Sequence, residues 1–248
     1  MNALTNGVKI EVIATGAKYH TLDDWGLAIG NNNYIGAPEQ ETCYVDVPGA
    51  NAFLDLSETL TGIPVYKSRA ISIELGGIRN RMDWDNIVSD LRNKIHGRRC
   101  KIIFDNDIDH YWTGRLYVEE FDRIRQLGTL KLNMPSAEPY KYDLQSSAED
   151  WLWDPFNFDY GVIRTIDRQM VEGELSICIP EGTMPSVPVF MVSDVASPEF
   201  TVSDGQNTFR LINGKNRFPR LKVCGESEVT LIFRGRGTVL IDYRGGSL

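Results

Sequence analysis

Long apolar runs are missing from this 248-residue chain. Nowhere does it approach the roughly 18 consecutive apolar residues that a membrane-crossing helix needs, so no spanning helix is expected. Histidine is scarce. His20, His96 and His110 are far apart, and none sits in an HxH or HExxH pattern that would hold a metal; no metal is expected. The four cysteines, Cys43, Cys100, Cys178 and Cys224, form no CxxC pair, which counts against a zinc knuckle or a redox dithiol. Apolar neighbours, as in Ile177-Cys178-Ile179 and Val223-Cys224, lead to the expectation of buried free thiols. Positive charge is also in deficit. The formal net charge of -8 argues against a nucleic-acid-binding surface, because affinity for phosphate comes chiefly from clustered Lys and Arg. The opening Met1-Asn2-Ala3-Leu4-Thr5 lacks the charged and apolar regions of a signal peptide, so synthesis in a cytoplasm is expected.

Complete catalytic motifs are absent as well. Gly225-Glu226-Ser227-Glu228 begins like a nucleophile elbow, but Val229 replaces the second glycine that the sharp turn requires. Glycines 26, 30 and 36 are too widely spaced to cradle phosphate. The segment Asp105-Asn106-Asp107-Ile108-Asp109 resembles the start of a calcium loop. His110 stands where such a loop requires Gly, and Leu116 where it requires a bidentate Glu, so a polar hairpin turn is the better reading. No catalytic residue, cofactor or metal is assigned, and the chain is not expected to be an enzyme.

What is present is mainly β, with one amphipathic helix predicted over residues 84–96. Trp84, Ile87, Val88, Leu91 and Ile95 fall at i, i+3, i+4, i+7 and i+11, on one helical face. Asp83 is the expected N-cap, Gly97 the left-handed stop, and Arg92, Lys94 and His96 place positive charge in the last turn. A helix this short is marginal alone and must lie against a sheet or a partner.

Strands are expected at residues 8–13, 42–47, 68–74, 101–104, 110–117 and 129–134, each bounded by turn residues. A Gly/Asn-rich loop at 26–36 separates the first two, and such loops commonly contact partners. The strand pattern breaks at Pro135-Ser136-Ala137-Glu138-Pro139, which puts a domain boundary near residue 140. Two domains are expected, 1–140 and 141–248. In the second, strands are expected at 161–166, 173–179, 187–192, 199–202, 208–212, 220–223, 228–233 and 238–243, the spacing of a β-sandwich or jelly roll.

The densest aromatic run spans residues 151–160. Its rings, Trp151, Trp153, Phe156, Phe158 and Tyr160, are candidates for packing at an interface or for stacking on sugars.

A constellation ties the first part together. An Arg69 strand precedes the Trp84 helix, then come Lys101-Ile102-Ile103-Phe104-Asp105, Tyr111-Trp112-Thr113-Gly114-Arg115-Leu116 and Pro139-Tyr140-Lys141-Tyr142. With Asp24-Trp25-Gly26-Leu27 and Val47-Pro48-Gly49-Ala50-Asn51, this resembles the distal tail protein (Dit) family of long, non-contractile-tailed bacteriophages and prophages. The resemblance covers roughly the first 142 residues. It implies an N-terminal ring-forming β-barrel or β-sandwich domain carrying the helix, followed by a galectin-like β-sandwich. It also implies a homo-hexameric ring at the tail tip of the virion, joining a tail tube protein to tail-tip, tail-associated or receptor-binding proteins. The alternative is a carbohydrate-binding module of a host-recognition device.

Overall fold

The structure is a computed structural model that describes residues 6–151, 161–196, 199–225 and 227–248. It is mainly β. Among the described residues no helix is long and apolar enough to cross a membrane. The contacts divide the chain into two compact units, Met1–Asp107 with Tyr111–Pro139, and Ile108–His110 with Tyr140–Leu248.

Unit 1 contains β1 (Val8–Val12), β2 (Ala17–His20), α1 (Thr21–Trp25), β3 (Ala28–Ile29), β4 (Tyr34–Ile35), β5 (Tyr44–Val45), β6 (Leu54–Asp55), β7 (Arg69–Ile78), α2 (Arg81–Ile95) and β8 (Arg98–Phe104). Most of β9 (Asp107–Ile124) and all of β10 (Leu127–Ala137) complete it. The strands run in the order β2-β1-β8-β9-β10-β7-β3, with antiparallel neighbours and β4 also on β7. Alternation sends Ile71, Ile73 and Leu75 of β7, and Leu130, Leu132 and Met134 of β10, into one core. The turn between β8 and β9 is the two-residue Asp105-Asn106, with Phe104 opposite Asp107. Asp105 also anchors the chain start, its carboxylate accepting from Gly7 N (2.7 Å) and lying 3.1 Å from His20 Nε2.

The long helix starts three residues earlier than its apolar stripe indicates. Asn80 is its N-cap, with no side-chain capping bond, and Asp83 lies inside the first turn, where the dipole still favours its charge. Gly97 takes the left-handed conformation (φ +70°) just beyond the helix. Trp84, Val88, Leu91 and Ile95 are buried, and the half-buried Ile87 packs against the same core.

The 26–36 segment is not simply a loop, because it lays β3 and β4 against β7. The strand expected at 42–47 shrinks to Tyr44–Val45, which pairs only with the equally short β6. Helix α1 escapes the periodicity because it is a single turn, closed by Gly26 at φ +62°.

Unit 2 contains β11 (Lys141–Asp143), β12 (Gln169–Ile179), β13 (Val189–Ser193), β14 (Thr201–Ser203), β15 (Thr208–Arg210), β16 (Gly214–Arg217), β17 (Val229–Asp242) and β18 (Gly246–Ser247). A six-stranded sheet runs β15-β14-β17-β13-β16, with β12 along the other edge of β17. Phe190, Phe200 and Phe233 centre its core. The strands expected at 228–233 and 238–243 are one continuous β17. Gly235-Arg236-Gly237 reads as a turn, but its glycines serve close approach instead. A Cβ at Gly235 would stand 2.9 Å from the Phe200 backbone, and one at Gly237 3.0 Å from the Phe200 ring. Residues 161–166 join no ladder, and 220–223 contributes only an isolated bridge between Val223 and Ser186.

Leu91 is fully buried in the unit 1 core. Leu91→Asp should leave little or no soluble folded protein, because an unpaired carboxylate there costs several kcal/mol; a soluble variant with wild-type circular dichroism would contradict this packing. Asp90 accepts hydrogen bonds from Lys94 Nζ (2.7 Å) and Trp25 Nε1 (2.8 Å), tying α2 to α1. The Lys94 bond first, then the Trp25 bond, hold its carboxyl below the usual range. The resulting stability is present above the unfolded carboxyl value of about 4 and is lost as pH falls through the lower folded value. Asp90→Asn should therefore destabilise the protein at pH 7, and the gap to wild type in thermal melts should close in acid.

Candidate functional site

Three features carry chemistry or surface that the cores do not absorb. The first belongs to unit 1, where residues 39–67 form an arm. Its stem is held by Lys67 N donating to Glu39 O (2.8 Å) and Glu41 N to Val65 O (2.7 Å), and by a bridge between Gln40 and Tyr66. Beyond the stem, Leu56 N bonds to Cys43 O (2.8 Å) and β5 pairs with β6. Its large apolar side chains find no core. Tyr44, Phe53 and Leu54 are more than half exposed, and Leu60 is 98% exposed. Several large apolar side chains are thus left in water on one excursion of the chain.

The second feature is Arg69, at the start of β7. It is buried, with its guanidinium stacked 4.7 Å over the Trp112 ring, and its Nε and Nη2 make no hydrogen bond among the described residues. Burial lowers its pKa. The stacking gives a desolvated cation partial compensation.

The third is a polar cavity of about 490 Å³ that lies wholly in unit 2. One wall is Asp109 and His110, in the three residues at the start of β9 that belong to this unit, and another is Asp143 of β11. His110 Nδ1 lies 3.0 Å from Asp109, and its Nε2 lies 3.6 Å from Asp143. Arg164 enters from the opposite side, its Nε donating to Asp143 at 3.0 Å and its Nη1 to the Glu181 carbonyl at 3.4 Å. The Arg164 side chain is only 10% exposed. Behind it, burial pushes the Cys224 thiol up to about 11 and the Tyr243 hydroxyl up to about 12. Both are neutral at pH 7, so neither competes as an ion with the Arg164–Asp143 bridge.

Of the aromatic candidates, Trp151 lines this cavity. Trp153, Phe156, Phe158 and Tyr160 lie outside the described residues. The sequence reading did not single out Asp143 or Arg164. The available signal was one arginine in the otherwise uncharged Val162-Ile163-Arg164-Thr165-Ile166, since a cation in an apolar run is normally paired. The four cysteines divide evenly: Cys100 and Cys224 are buried, but Cys43 and Cys178 are exposed, the first on the arm and the second on an outward position of β12.

No protein-family model matches the chain, and no curated protein matches it in sequence. Among solved structures, the Dit protein of phage SPP1, described as a paradigm of the hub adsorption apparatus in phages infecting Gram-positive bacteria, aligns over 97% of this chain and 99% of that chain. The TM-score is 0.57 at 12% identity. The chain has the fold of that Dit protein. A tail of an empty GTA particle, obtained with C6 symmetry, aligns over 56% of this chain and 97% of that chain at 15% identity, with a TM-score of 0.32.

Thiol labelling checks the placement of the cysteines. In native protein Cys43 and Cys178 should react with a disulfide reagent at pH 8, Cys178 more slowly because Glu228 raises its pKa. Cys100 and Cys224, each pushed up to about 11 by burial, should react only after denaturation.

Proposed function

We propose that this chain is the structural hub of a phage tail tip, without catalytic activity. In this reading the protein forms a hexameric ring in the virion that joins the tail tube protein to tail-tip, tail-associated or receptor-binding proteins. It is made in the cytoplasm of the host bacterium. Unit 1 is the ring-forming domain and unit 2 the galectin-like sandwich. The observation that carries the reading is a fold shared along nearly the whole of both chains with a Dit hub protein.

Physical features of the chain support it. A ring is built from a head-to-tail interface whose rotation closes, and such an interface needs surface that a monomer leaves uncovered. The arm offers that surface, with Phe53 and Leu60 presented to solvent on a stem too thin to bury them. The charge of -8 per copy suits a passage for DNA, which a basic lumen would hold.

Carbohydrate binding is the second reading, supported by Trp151 on the wall of a polar cavity.

Light-scattering mass and negative-stain images of the purified chain test the hub reading. The expected result is a hexameric ring, formed alone or beside tail partners, that Phe53→Asp with Leu60→Asp weakens while the monomer stays folded. A protein that remains monomeric at high concentration and beside its tail partners would overturn it.

A further inference from the structure

The cavity of unit 2 is assigned no role by the hub reading, and its wall has a definite chemistry. Asp109, Asp143 and Glu181 line it together with Arg164 and Lys141, Arg164 is held on Asp143, and the imidazole of His110 stands between Asp109 and Asp143. Each simple ligand class meets an obstacle there. An anion such as phosphate meets the carboxylates, and an organic cation meets the guanidinium and the ammonium; a metal ion would be drawn instead to Asp107, Asp109 and His110, whose ligand atoms lie within 4.8 Å of one another. An apolar ligand would strip water from ionised groups without replacing their hydrogen bonds. A neutral molecule with many hydroxyls avoids all three penalties, because each hydroxyl both donates and accepts and so satisfies carboxylates and cations alike.

Two further properties narrow the class. Trp151 gives the wall an aromatic ring, whose electron-rich face attracts the polarised C–H groups of a ring-shaped polyol. The polar groups are also held in place beforehand: Asp143 is fixed by Arg164 Nε at 3.0 Å and Arg164 by the Glu181 carbonyl, so their ordering is not charged to binding. The volume of about 490 Å³ lies within the range of small-ligand sites, roughly 300–1,000 Å³.

We infer that this cavity is a binding site for a neutral pyranose unit, with Trp151 as the stacking surface and Asp143, Arg164 and Glu181 as hydroxyl partners. This deepens the second reading above and is independent of ring formation.

Saturation-transfer NMR on the full chain tests it, using as probes the methyl pyranosides of glucose, galactose, rhamnose and N-acetylglucosamine at millimolar concentration, with inorganic phosphate as competitor. At least one pyranoside should bind saturably, and phosphate should not displace it. Trp151→Ala should weaken binding by about tenfold or more, equivalent to about 1.4 kcal/mol. Val162 lines the cavity and is 49% exposed, so Val162→Trp narrows the entrance without touching a core and should abolish binding. Ring mass measured on the same samples should be unchanged by Val162→Trp, which separates failure of this site from failure of the hub reading. The assignment is overturned if none of the pyranosides binds, if binding survives both substitutions, or if phosphate displaces the sugar.

Discussion

The position of one indole governs how unit 1 is built. Trp84 is fully buried, tilted against Phe121 at 5.3 Å, and its Nε1 donates to the Gln126 carbonyl at 3.0 Å. There is room for it only because the facing residue of β10 is a glycine. A Cβ on Gly128 would lie 2.4 Å from the indole Cε2, a separation that real Cβ atoms essentially never show. The helix thus sits closer to the sheet than side-chain packing would ordinarily permit. The chain entering the helix is also tied to the hairpin between β9 and β10, since Arg79 N bonds to the same Gln126 carbonyl at 2.9 Å. From this anchor the apolar stripe runs down to Ile95, and Gly97 N closes the far end on Leu116 O at 2.7 Å.

Features with a clear physical period were legible in the sequence, and those depending on close approach were not. The apolar face of α2 could be read directly because five residues repeat at helical spacing over more than two turns. Its start could not, because Asn80 closes the helix without a side-chain bond and leaves no capping signature at Asp83. Gly235 and Gly237 show the opposite error. They lie in the gap between two expected strands, and the close approach of Phe200 explains why one strand continues there. The two-residue strands β3 to β6 carry too few positions for alternation to register. The cavity was illegible for a different reason: Asp109, Asp143, Arg164 and Glu181 are far apart in sequence, and their meeting depends on chain topology. In the sequence, Asp109 and His110 read only as part of a hairpin turn and Trp151 only as part of an aromatic cluster.

The arm and the cavity represent opposite uses of surface. The arm exposes apolar groups that gain by leaving water, so its energetics favour a large, dry contact. The cavity holds a nearly buried ion pair. Removing either Arg164 or Asp143 leaves an uncompensated charge and costs far more than the pair itself contributes. Such a pair is weak evidence for stability but sound evidence that the local geometry is held to one arrangement. One chain can carry both, because each lies in its own unit.

The pairing of β11 with β18 has a consequence for synthesis. Tyr142 pairs with Gly246 and Lys141 with Ser247, while Ser147 Oγ bridges the Ile241 carbonyl and the Tyr243 amide. The β11–β18 pairing can therefore form only after the segment around residue 247 has left the ribosome, whereas β11 already has β9 as a neighbour. The strands and helices assigned to unit 1 all lie before residue 140 and can be complete by then. Vectorial translation thus allows the helix-bearing unit to fold first, and the second unit to close only when its last strand is made.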